Sequence, residues 1–287
     1  MNLNEKAWRL MDDVMRGGEI KADRFKTMQG DVIILNLNLV KDEGVAKKVA
    51  EACMGGLGKV DIENDNLVVG CKGRVALATM GCQLSGWSIN GALGSGPARI
   101  LARKPKEIFN FLGYSENAKK AVLFLETDGG VGEDLYRTIL EKTQTEKLMV
   151  AVFSGRSMVG KINVLARVLE MAVFRLYHLG YDIRNVVYGK GSVPVPKSND
   201  PGLCNDAIIY FGSVHLKVKG WDKNLTEKCV SGSSKIHGKR FNEILKDAGG
   251  DFYKIDPGIF APAELTVNDA RTGKRYHAGK RHKYTKS

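Results

Sequence analysis

The stretch 159–181, VGKINVLARVLEMAVFRLYHLGY, constrains this chain most. Val159, Ile162, Leu165, Val168, Leu169, Ala172, Val173, Leu176 and Leu179 recur at three- and four-residue spacing, which predicts one helix packed into a core. Phe174 and Tyr177 widen its apolar surface, and Gly180 is placed to end it. A helix apolar nearly all round is buried, and a carboxylate on it has to be paired or used. Asn163, Arg167 and Glu170 lie four and then three residues apart and are expected on one face. The helix alone leaves two readings open: a structural Arg–Glu bridge, or a general base held ionised by its neighbour.

At 287 residues the chain can build one large domain or two ordinary ones. Hydrophobic residues at 43% and charged residues at 26% are globular values. Five widely spaced cysteines, with no C-x-x-C, argue against a disulfide framework or a zinc site and suit a reducing cytoplasm. The five histidines form no metal-binding pattern, so no metal is expected. Residues 1–16 read as a charged amphipathic helix and not as a signal peptide. The charge-free run 75–98 is broken by five glycines and carries Gln83 and Asn90, too polar for a membrane span. The net charge of +12 invites a nucleic-acid reading, but residues 271–287 carry +7 of it, which leaves +5 for the other 270. Basicity concentrated in such a tail is a weak electrostatic signal.

Strand and helix patterns alternate through the middle of the chain. Residues 120–126 and 147–153 read as strands, with a helix over 132–142 between them, which is the pattern of an α/β layer. Further helices are expected over 3–16, 44–53 and 239–248, and strands over 31–39, 59–69 and 73–79. Residues 206–219 alternate as two strands, 189–202 reads as a long functional loop, and 252–279 is strand-like. The expected partition is one domain from 1–93 plus 240–287 and a central one from 94–239.

Several short segments carry a possible ligand role beside an ordinary one. Gly55 and Gly56 allow positive φ, for a tight turn or for close approach of a ligand. In residues 94–99, Ser95, Gly96 and Arg99 surround the start of a helix at Pro97, which suits either an anion site or a plain strand-to-helix turn. Asn205 and Asp206 are placed to cap a turn or to touch a ligand.

Taken together, Cys53-Met54-Gly55-Gly56-Leu57, Ser85-Gly86-Trp87, residues 94–99 with Lys104-Pro105-Lys106-Glu107, Ala166-Arg167-Val168-Leu169-Glu170, Asn205-Asp206-Ala207-Ile208-Ile209-Tyr210, residues 251–263 and Thr272-Gly273-Lys274 resemble the methenyltetrahydromethanopterin cyclohydrolases of one-carbon metabolism and methanogenesis. The resemblance runs from about residue 5 to 279. It implies two α/β domains with a substrate pocket between them, a cytoplasmic homotrimer, and no metal or redox cofactor. The implied reaction hydrolyses 5,10-methenyltetrahydromethanopterin, the pterin carrier of the C1 unit, to the N5-formyl form. It places Glu170 as general base for water with Arg167 orienting it, and gives substrate-binding roles to Gly55, Gly56, Ser95, Gly96, Arg99, Asn205 and Asp206. The chain departs from the family pattern at Leu84, where a lysine is expected, and at Leu203, where an arginine is. Those two positions raise an alternative, a non-catalytic or altered-specificity pterin- or phosphate-binding relative. A nucleic-acid-associated protein is supported only by the basic tail.

Overall fold

The computed structural model describes residues 2–18 and 20–282. The last five residues of the basic stretch therefore lie outside the described residues. Two units emerge, one from residues 1–59 with 77–163 and the other from 60–76 with 164–287. This is not the expected partition, and strand pairing is the reason.

In the first unit the elements are α1 (Leu3–Arg16), β1 (Ala22–Lys26), β2 (Asp31–Asn36) and α2 (Glu43–Cys53). The strand β3 (Gly58–Glu63) and β4 (Asn66–Lys72) then leave for the second unit, and the chain returns through a π-helical turn, Leu77–Gln83. There follow β5 (Trp87–Ile89), β6 (Ala92–Ser95), α3 (Ala98–Ala102), α4 (Lys106–Leu112), β7 (Lys120–Glu126), α5 (Glu133–Thr143) and β8 (Lys147–Phe153). The sheet runs in the order β1-β2-β8-β7-β6-β5. Its centre, β2, β8 and β7, is parallel, with Asp31 opposite Lys147 and Lys120 opposite Lys147. The central strands are continuous apolar runs because both faces are covered. Leu123, Leu125, Leu148 and Val150 pack with Leu135, Ile139 and Leu140 of α5 in one core. Parallel pairing of β2 with β8 is what binds the N-terminal segment to the middle of the chain.

The second unit holds β3 and β4, then α7 (Val168–His178), β9 (Val186–Pro194), α8 (Pro201–Phe211), β10 (Ser213–Val218), α9 (Phe241–Asp247), β11 (Glu264–Asp269) and β12 (Arg275–Gly279), entered through α6 (Met158–Leu165). Its sheet runs β12-β11-β10-β9-β4-β3. β4 pairs antiparallel with β9, and β10 pairs parallel with β11, so the C-terminal strands join 60–76.

Four local expectations change. Residues 73–79 are not a strand; they lead into the π-helical turn. Residues 189–194 are strand and not loop, as β9. The first part of 206–219 is helix: Asp200 accepts the Leu203 N–H and Pro201 takes the first turn of α8. Of the strand-like stretch 252–279, the first part is two 3-10 turns, Phe252–Lys254 and Pro257–Ile259, while β11 and β12 are strands that pair from Glu264 opposite Gly279 to Asn268 opposite Arg275. Arg281 pairs with Glu264 at 3.2 Å. Among the described residues no helix is long and apolar enough to cross a membrane.

Candidate active site

The stretch 159–181 forms two helices, α6 and α7, parted at Ala166-Arg167. The Arg167 N–H donates to the Val164 carbonyl, three residues back, at 3.0 Å, and the Arg167 carbonyl then accepts from the Met171 N–H at 2.7 Å. That tightened turn interrupts the face on which Asn163 and Glu170 were expected to stack. It places Arg167 at the N-cap of α7 and Glu170 in its first turn. A carboxylate there is favoured by the amide dipoles of the helix end. Gly189 and Gly191 of β9 let this turn lie close to the sheet, because a Cβ on either would stand 2.5 Å from Leu169 Cδ1 or 2.7 Å from Val168 Cγ1.

Arg167 Nη1 lies 3.8 Å from Glu170 Oε2, with side chains 10% and 5% exposed. At that distance the contact is an ion pair without a short hydrogen bond. Among the described residues, Arg167 Nε and Nη2 reach no acceptor. Asn163 is 0% exposed and neither of its amide atoms finds a partner among the described residues. Each buried polar group left this way costs about 1–3 kcal/mol, so such groups mark places that something else completes. Chemically, the pair offers a fixed carboxylate able to take a proton and a guanidinium with donors open to an oxygen.

The other expected site residues have structural partners. Gly55 and Gly56, both at φ +67°, let α1 approach the end of α2: a Cβ on Gly55 would stand 3.1 Å from Leu3 Cβ, and one on Gly56 3.3 Å from Leu10 Cδ1. Ser95 Oγ lies 3.3 Å from Cys53 Sγ. Gly96, at φ +98°, leaves room for Phe124, which a Cβ would meet at 2.6 Å. Arg99 is 0% exposed. Its Nε donates to the Lys104 carbonyl at 2.8 Å, and its Nη1 to the carbonyls of Met80, Gly81 and Cys82 at 3.2, 3.3 and 3.2 Å. These contacts give Arg99 a structural role. Its guanidinium ties down the π-helical turn, and α3 is too short for a helix-end anion site. Gly86 must lack a side chain here, because a Cβ would stand 2.5 Å from Arg99 Nη2 and 2.7 Å from Pro105 Cδ. The similar segments 85–87, 94–99 and 104–107 thus converge on one buried arginine.

On α8, Asn205 Nδ2 donates to the Pro201 carbonyl at 2.9 Å. Asp206 Oδ1 accepts the Phe241 N–H at the start of α9, at 2.8 Å. Burial pushes the Asp206 carboxyl up to about 6, partly opposed by that hydrogen bond. Sequence reasoning passed over Gln83, which is 0% exposed with neither amide atom partnered among the described residues. The one signal for it was an amide inside a charge-free run.

Comparison with known proteins matches nearly the whole length of the chain. The family described as Cyclohydrolase (MCH) matches residues 2–285. The methenyltetrahydromethanopterin cyclohydrolase of Methanocella arvoryzae is 33% identical over 302 residues, covering 98% of this chain and 95% of that protein. The enzyme of the same name from Methanothermobacter marburgensis is 33% identical, covering 97% and 96%. That of Methylobacillus flagellatus is 35% identical, covering 84% and 81%. The chain belongs to the cyclohydrolase (MCH) family.

Proposed function

We propose that this chain hydrolyses 5,10-methenyltetrahydromethanopterin to N5-formyltetrahydromethanopterin, with Glu170 as general base and Arg167 orienting it. The observation that carries the reading is the buried pair at the head of α7, whose guanidinium keeps two nitrogens, Nε and Nη2, without an acceptor among the described residues. The relatives' names supply the substrate. The methenyl carbon lies between two nitrogens that share a positive charge, so it is electrophilic. As water attacks it, Glu170 takes one proton, and the carboxylate also complements the cation. The new hydroxyl loses its proton as the C=O forms; the C–N10 bond breaks and N10 is protonated. One water is consumed and one proton is released. Arg167 fixes the carboxylate and offers its open donors to the developing formyl oxygen. A base in this role contributes ~10²–10⁴-fold. The same proposal includes a homotrimer as the active form.

The direct test adds purified protein to methenyltetrahydromethanopterin and follows the loss of its absorbance. Enzyme-dependent decay with the N5-formyl product supports the reading. Binding of the pterin without decay would favour a non-catalytic relative instead, the alternative raised by Leu84 and Leu203.

A further inference from the structure

The reaction as written uses neither of two fully buried carboxamides, Asn163 and Gln83. Gln83 ends the π-helical turn, 0% exposed, with Oε1 and Nε2 unpartnered among the described residues. A buried amide in that state costs about 1–3 kcal/mol, and an apolar side chain of similar size would avoid the cost. Two independent features surround it. The turn is π-helical, with the Leu84 N–H donating to the Thr79 carbonyl, five residues back, at 2.9 Å. Such wide turns are rare and are frequent at functional sites. Arg99 Nη1 also grips the carbonyls of Met80, Gly81 and Cys82, the three residues before Gln83. The backbone that carries the amide is thereby fixed, which is the preorganisation a ligand-binding group needs.

A carboxamide presents an acceptor and a donor side by side. Its complement is a ring edge with N–H beside C=O, which it meets through two parallel hydrogen bonds. The pyrimidinone ring of a pterin has that lactam edge. We propose that Gln83 is a substrate-binding residue whose amide takes the lactam edge of the pterin ring. This inference rests on the cyclohydrolase reading above, which supplies the pterin. A ring contact of this kind is alike in ground and transition states, so it governs KM and not kcat.

The test is Gln83→Leu in the full chain, with Gln83→Met as a second, unbranched replacement in case the first fails to fold. KM and kcat for methenyltetrahydromethanopterin are measured together with Tm. Loss of the paired hydrogen bonds is expected to raise KM about tenfold or more, with kcat little changed. Tm should stay level or rise, since an unpartnered buried amide has been removed. An unchanged KM in either folded variant overturns the inference, and a lowered Tm beside it shows the amide to be structural. A wild-type protein with no activity toward this pterin is a different outcome: it removes the cyclohydrolase reading, and the inference with it.

Discussion

Arg99 in the first unit and Arg167 in the second are the two buried arginines among the described residues, and their surroundings differ. Around Arg99 the fold gathers four backbone carbonyls. Around Arg167 it supplies one carboxylate at 3.8 Å and, among the described residues, leaves two nitrogens without an acceptor. An arginine whose Nε and Nη1 are tied to four main-chain carbonyls is part of the scaffold. One whose donors stay open in a dry setting is placed for something that arrives. The sequence pointed the other way for Arg99, because a glycine-rich turn beside an arginine looks like an anion site until its partners are seen.

The largest effect that would break this comparison lies at Arg99. Replacing it with Met removes the cation and takes a donor from four carbonyls, of which that of Cys82 keeps the Gly96 N–H, so a loss of ~3–5 kcal/mol is expected in urea unfolding. A stable Arg99→Met protein with only a raised KM would restore the anion-site reading.

A smaller effect is expected at Asp206, a structural carboxylate that titrates. Its folded pKa, about 6, lies above the ordinary value of 3.8. The fold therefore favours the protonated form, and that contribution is full below about pH 4 and lost as pH rises through about 6. Asp206→Asn keeps an acceptor for the Phe241 N–H and removes the charge. It should be more stable than wild type above pH 6, by about 1 kcal/mol once solvent screening is allowed for, with the gain vanishing toward pH 4. Thermal unfolding across that range checks it, and a gain that is independent of pH would contradict the assignment.

The smallest change in stability is expected at the pair itself. The double variant Arg167→Met with Glu170→Gln exchanges a loosely held buried ion pair for neutral side chains of similar length. Unfolding free energy should move by less than about 1 kcal/mol, or rise. A loss comparable to that of Arg99→Met would make the pair a structural bridge after all.

What was legible in the sequence follows the physics of each element. β7, β8 and α5 stand out as continuous apolar strands around an amphipathic helix, and α1 and α9 as isolated amphipathic helices. The residues 206–211 were misread as strand because Ile208, Ile209 and Tyr210 favour strands locally, although Asp200-Pro201 marks a helix start. Residues 75–83 form a short apolar run whose periodicity does not separate strand from helix. The partition into units rests on β4 with β9 and β2 with β8, pairings across long stretches of chain that no local pattern encodes. At the site, Arg167 and Glu170 were legible as buried charges on an apolar segment. The turn between α6 and α7 was not, since neither Pro nor Gly marks it. Gln83 was hidden for a different reason: only the tertiary structure shows that its amide lacks a partner among the described residues.

Glu170→Gln tests the central claim most directly, because it keeps the shape and hydrogen-bonding reach of the side chain while removing its basicity and charge. The measurement is kcat for methenyltetrahydromethanopterin hydrolysis beside Tm on the same preparation. The account predicts a fall in kcat of roughly 10²-fold or more in a protein that still folds, with Tm lowered because the buried Arg167 cation loses its carboxylate. A folded Glu170→Gln protein that turns over at nearly the wild-type rate would contradict it.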